Sequence, residues 1–268
     1  MALGLVQGVT ELLPVSSSAH IGAVPRLLGW EVADWPPARR KELEVALHTG
    51  AALALAPLFW RLRPDAKTLA LSLAPPVVIG GLFERAIEER LGGPTALAAG
   101  LVGGGVVMVV ADAWADWSGP RREGQGWATQ RATAWSALPR GARCGWGRGG
   151  EARARGLALG LAQAAALVPG VSRSGATLAS ARALGYSRAE ASKLSFGVAG
   201  PVLVGATALK AWRGRRTADR RLLATGIAAS FVGTRAALRL FGLERGPLWP
   251  FALERAALAG LVRYGRRP

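Results

Sequence analysis

Apolar residues in this chain come in long runs, not in the alternation of strands or the narrow stripe of a surface helix. Runs occupy 43–60 (LEVALHTGAALALAPLFW), 68–83 (TLALSLAPPVVIGGLF) and 94–111 (PTALAAGLVGGGVVMVVA). Others follow at 156–171, 194–212, 222–241 and 247–262. Most are about 16–20 residues, close to the length a helix needs to cross ~30 Å of hydrocarbon. They are rich in Gly and Ala, which lets helix backbones approach closely in lipid. The pattern predicts an all-α polytopic membrane protein. Between Ala113 and Arg155 the periodicity disappears, and Trp, Gly, Arg and Ser take over. This stretch reads as a polar connector between two membrane halves, 1–112 and 156–268.

Two runs are interrupted by polar residues and proline. The first, LVQGVTELLPVSSSAH, carries Gln7 and Glu11 before Pro14, then three serines and His20. The second, LVPGVSRSGAT, breaks at Pro169-Gly170 and resumes at Ser172. An offset of 156 residues pairs Gly4 with Gly160, Leu5 with Leu161 and Gln7 with Gln163. It also pairs Val15 with Val171, Ser16 with Ser172 and Ser18 with Ser174. Six matches in fifteen positions, including both serines, point to a duplication. Broken hydrophobic segments at matching places in two halves predict re-entrant helix pairs, about 3–28 and 156–184, lining a site at the repeat interface.

Composition refines this picture. The net charge of +17 is almost entirely arginine and sits between the apolar runs, as in RLRPDAK at 61–67 and RGRRTADRR at 213–221. Basic loops flanking hydrophobic segments suit an anionic membrane surface better than a nucleic acid, which would select a basic face interleaved with aromatics. The single Cys144 excludes an intrachain disulfide and a Cys-rich metal site. Gly150 stands where a cysteine-phosphatase loop starting there would need its Arg. The N-terminus has neither a basic n-region nor an A-x-A site, so a cleavable signal peptide is not expected.

The candidate chemistry lies at the two breaks. Gln7 and Glu11 are four apart and share a helix face. Ser16, Ser17 and Ser18 stand at a helix start, where serine is a favoured N-cap, with His20 four residues after Ser16. An acid and a histidine inside a membrane segment are costly and mark a functional site. Ser172, Arg173, Ser174 and Thr177, with two glycines, form an anion cradle. Arg meets phosphate oxygens with two parallel hydrogen bonds. Acid, histidine, hydroxyls and guanidinium together suit hydrolysis of a phosphate ester or anhydride on a lipid. Glu11 and Gln7 could hold Mg²⁺ or Ca²⁺ through oxygen, and His20 could act as general base or acid. Ser17 and water both remain open as the nucleophile.

The segment LGLVQGVTELLPVSSSAH resembles the (E/Q)xxxE…PVSSSGH signature of the undecaprenyl-diphosphatase, or bacitracin-resistance, family. LVPGVSRSGAT resembles its PGxSRSxxT signature, and EVALHTGAALALAPLFWR at 44–61 is similar to a third family segment. The resemblance implies inverted repeats in the multi-pass bacterial plasma membrane, a homodimer, and a site open to the outer face. The implied activity is hydrolysis of undecaprenyl diphosphate to the monophosphate, which recycles the lipid carrier for cell-wall synthesis. Carried over by position, Gln7 and Glu11 fill the acidic motif; Ser16, Ser17 and His20 fill the serine–histidine motif; Ser172, Arg173, Ser174 and Thr177 fill the arginine motif. Ala19 departs from the family's Gly, and His48 stands where the family has Gln. A lipid-phosphate transporter and an inactive homologue are the competing readings of the same architecture.

Overall fold

The computed structural model describes residues 1–118, 150–214, 219–240 and 246–265. The core of the expected connector, 119–149 with Cys144, lies outside them. Among the described residues the chain is all helical. α1 (Ala2–Leu12) and α2 (Ser17–Leu27) are followed by a short 3-10 turn at Glu31–Asp34. Then come α3 (Pro37–Leu62), α4 (Ala66–Leu91) and α5 (Pro94–Trp117). After the undescribed stretch follow α6 (Gly150–Ala165), α7 (Arg173–Ala183), α8 (Arg188–Gly214), α9 (Arg220–Leu240) and α10 (Trp249–Tyr264). Three described helices are long and apolar enough to span a membrane: α3, the Ala66–Phe83 part of α4, and α5. α5 displays Val102, Val106, Val107, Val110 and Trp114 on its outer face, the surface a helix offers to hydrocarbon.

Both apolar breaks are helix interruptions. α1 ends two residues before Pro14, and α2 begins at Ser17; α6 ends at Ala165, and α7 begins at Arg173. Other helix starts recur at nearly the same spacing. Arg173 follows Ser17 by 156 positions, Arg220 follows Ala66 by 154, and Trp249 follows Pro94 by 155.

Packing runs across the halves. α1 lies against α9, while α6 lies against α4; α3 meets α8, and α5 meets α10. Glycine sets the closeness of these contacts. A Cβ on Gly8 would stand 2.3 Å from the carbonyl carbon of Gly233, and one on Gly4 2.5 Å from Ala229. Gly160, the repeat partner of Gly4, abuts the Leu71 carbonyl of α4 in the same way. In lipid, where apolar burial between helices gains little, such close contact is the main cohesive term. One core cluster joins Leu55, Leu58, Phe59 and Leu62 of α3 to Phe196, Ala199 and Leu203 of α8.

Charged groups also pin the fold. Asp112 on α5 accepts from Arg182 of α7 and Arg188 of α8, and takes the Leu248 amide as well. Arg255 of α10, fully buried, donates from Nη2 to the carbonyls of Gly100 and Gly170 at 3.2 and 2.9 Å. It thereby ties α10 to the loop of the second break.

Candidate active site

The two breaks meet. Glu11, at the end of α1, places Oε1 2.7 Å from Nη2 of Arg173, the first residue of α7. Its Oε2 accepts from Ser17 Oγ at 2.8 Å and from Gln7 Nε2 at 3.0 Å. Ser17 and Arg173 occupy corresponding places in the two breaks, so both helix starts converge on one carboxylate. The Glu11 side chain is 4% exposed and that of Arg173 21%. A pair this sheltered from water is strongly coupled, and removing either partner leaves a costly lone charge.

Arg173 also donates from Nη1 to the Ala199 carbonyl at 3.1 Å. A guanidinium has five N–H donors. About three of them therefore remain for a ligand.

A hydroxyl chain stitches the breaks together. Ser172 caps α7 by accepting from the Gly175 amide at 3.2 Å. It lies 3.0 Å from Ser174 Oγ, and Ser174 donates to the Leu13 carbonyl at 3.2 Å. Because the Ser174 hydrogen goes to Leu13, Ser172 is the donor within the serine pair.

The first break is built differently from the expected serine cap. Ser16 precedes α2 at φ 71°, ψ 85°, and its side chain makes no capping bond. It is the one non-glycine residue at positive φ among those described. A backbone held in that region stores strain, which is tolerated where surrounding contacts over-determine it. Here the Ser16 carbonyl takes the His20 amide at 3.3 Å and faces His20 Nδ1 at 2.9 Å. Ala19 needs no left-handed backbone; it is buried inside α2. Its departure from glycine therefore costs the turn nothing.

Around the carboxylate–guanidinium pair lies a cavity of about 200 Å³. Glu11, Ser16, Ser17, Ser18, Ser172, Arg173 and Ser174 all line it. So do Thr10, Glu44 and His48, and an apolar wall including Val202 and Leu203. Gln7 is fully buried behind Glu11 and does not reach the cavity surface. Thr177 is buried as well; its Oγ1 lies 2.6 Å from Ser195 Oγ and 2.9 Å from the Arg173 carbonyl. It supports the start of α7 from behind.

His20 is not among the lining residues. Its Nε2 lies 2.7 Å from Oε1 of Glu254 on α10. Both ring nitrogens thus face acceptor oxygens, which an imidazolium satisfies and a neutral ring does not. Glu254 was not singled out from the sequence, nor were Glu44 and Arg255. The signal was there for the α10 pair: Glu254 and Arg255 are charges inside an apolar run, the same anomaly that marked Glu11.

For a divalent ion the donor chemistry is oxygen from Glu11 and Gln7. Gln7 Oε1 is buried and without a hydrogen-bond partner. Turning the amide over would bring that oxygen toward Glu11 Oε2, two acceptors that a hard cation between them would satisfy. The residues fit such an ion. Among the described residues, no three His, Cys, Asp or Glu side chains group to hold a metal, so phosphate oxygens would have to complete its shell.

Comparison with known proteins matches residues 1–261 to the family model described as bacitracin resistance protein BacA. The undecaprenyl-diphosphatase of Geobacter sulfurreducens is 34% identical over 97% of this chain and 94% of its own length. That of Novosphingobium aromaticivorans is 31% identical, over 98% and 95%. The chain belongs to the BacA family.

Proposed function

We propose that this BacA-family protein hydrolyses undecaprenyl diphosphate to the monophosphate and inorganic phosphate in the bacterial plasma membrane. The carrying observation is the Arg173–Glu11 pair, which joins the end of α1 to the start of α7 across the two Pro breaks, in the lining of a serine-rich cavity. The named relatives, similar over nearly their full length, act under the name undecaprenyl-diphosphatase. The crossed packing of α1 on α9 and α6 on α4 supports reading the halves as inverted repeats, with the cavity at their interface.

Arg173 turns its free N–H donors to the terminal phosphate and stabilises the charge that develops there. Ser16, Ser17 and Ser18, with Ser172 and Ser174, surround the phosphates with hydroxyls, which rotate to donate once an anion arrives. Glu11 fixes Arg173 and Ser17 at once, so positioning is built before substrate binds. Gln7 and Glu11 would hold Mg²⁺ or Ca²⁺, which supplies positive charge to the phosphate oxygens. His20, held by Glu254, keeps the strained Ser16 turn in place from outside the cavity lining. Ser17 and water both stand as the nucleophile.

Purified protein in detergent, given farnesyl diphosphate and Mg²⁺, tests this reading by phosphate release. A transporter of polyprenyl phosphate would bind the lipid and release none, and so would an inactive homologue.

A further inference from the structure

Resting on the hydrolase reading above, we infer that Arg255 is a positioning residue: through the second break it sets where Arg173 meets the phosphate. Neighbouring residues of α10 reach the two breaks separately. Glu254 Oε1 lies 2.7 Å from His20 Nε2, and His20 Nδ1 faces the Ser16 carbonyl of the first break at 2.9 Å. Arg255 Nη2 donates to the Gly170 carbonyl of the second break at 2.9 Å. Consecutive helix residues diverge by about 100°, so one short stretch of α10 holds both turns.

The second break needs such a clamp. Gly170 is buried at φ 89°, and a buried turn carbonyl needs a donor. A Cβ on Gly100 would stand 2.1 Å from the Pro169 oxygen, so the turn rests directly on the α5 backbone. Arg255 Nη2 also reaches the Gly100 carbonyl at 3.2 Å, bridging the two surfaces where they touch. Arg173 follows this turn at once, with Ser172 capping α7 between them. The seat of the turn therefore fixes the start of α7 and the origin of the Arg173 side chain.

The guanidinium itself sits in a slot made by glycines. A Cβ on Gly104 would stand 2.4 Å from Arg255 Nη2, and one on Gly175 3.0 Å from Nη1. The Cβ on Gly175 would also be 3.5 Å from the Pro14 carbonyl oxygen, so the guanidinium lies where the two breaks come together. Arg255 is fully buried, and among the described residues no acceptor meets its Nε or Nη1. A charge buried with unspent donors costs stability, and in a membrane protein such a residue marks function. Arg255 does not line the cavity. It acts through Arg173.

The test uses two neighbouring glycines of α5. Gly104→Ala puts a methyl against the guanidinium, while Gly103→Ala puts one where nothing lies within 4 Å. Phosphate release from farnesyl diphosphate gives kcat and KM for both, and for each combined with Arg173→Lys. Gly104→Ala should lower kcat at least about tenfold with KM within about twofold, and Gly103→Ala should match wild type. Gly104→Ala/Arg173→Lys should be no slower than Arg173→Lys alone, because the displaced group works through Arg173. Arg255→Lys, which keeps the charge without the planar fork, should behave as Gly104→Ala does. Equal kcat for the two glycine variants overturns the role, and so do losses that add to that of Arg173→Lys. Binding of a non-hydrolysable methylene diphosphonate analogue checks that each variant is folded. If neither Gly104→Ala nor Arg255→Lys binds it, Arg255 serves the fold alone and the positioning role is overturned. A wild type that binds the analogue yet releases no phosphate overturns the hydrolase reading itself, and this role with it.

Discussion

Arg173 and Glu11 stand 162 residues apart in the chain and 2.7 Å apart in space. The contact joins the start of α7 to the end of α1, and therefore the two halves of the protein. It does more than neutralise a charge, because it holds the guanidinium plane against both Glu11 and the Ala199 carbonyl.

Arg173→Lys should therefore lose about a hundredfold in kcat, roughly 3 kcal/mol of transition-state stabilisation. A lysine can meet Glu11 or the phosphate but lacks the planar fork to do both. Steady-state phosphate release measures this, and near-wild-type turnover would remove Arg173 from the chemistry.

Metal dependence tests Glu11 and Gln7. Activity should disappear in EDTA and return with Mg²⁺ or Ca²⁺, and Glu11→Ala should be inactive with either ion. Full activity in chelator would leave Glu11 only its role of positioning Arg173 and Ser17.

His20 and Glu254 should act as one unit. His20→Ala is expected to lose at least ~10²-fold in rate, and His20→Ala/Glu254→Ala should be no slower than His20→Ala alone. Additive losses in that double-mutant cycle would show that the 2.7 Å contact is not what couples α10 to the Ser16 turn.

Ser17 separates the two nucleophiles. A phosphorylated peptide covering residues 5–26, trapped by rapid quench, would select covalent attack. Ser17→Ala with most activity retained, and no trapped peptide, would select water.

Gly8 reports on the α1–α9 contact. With its Cβ position 2.3 Å from Gly233, Gly8→Ala should push the helices apart and cost about 2 kcal/mol. Gly22→Ala, with nothing within 4 Å, should be neutral or slightly stabilising. Thermal unfolding in detergent compares the pair, and equal midpoints would mean α1 has room to shift.

Much of this site was legible in the chain because membrane segments make polar residues conspicuous. Glu11, Ser17 and Arg173 stood out as costly groups beside proline breaks, and the structure gathers them on one cavity. What was hidden depended on long-range geometry. Nothing local says that Glu254 meets a histidine 234 positions away, or that Thr177 turns from the cavity to Ser195. The left-handed backbone at Ser16 was equally invisible, since serine at a helix start reads as an ordinary cap. His48 was visible as an unusual residue, one turn from Glu44, but only the packing of α3 shows that it shares the cavity with Glu11 and Arg173.

The crossed packing of the broken segments bears on how the protein is made. α1 is made well before α9, yet α9 is its seat. Until α9 is synthesised the opening segment, with Glu11 and its serines, has no Gly233 surface to close against. Glu11 likewise waits for Arg173 as its counter-charge. A nascent chain stalled before α9 therefore carries Glu11, its serines and Arg173 without the surface on which α1 closes.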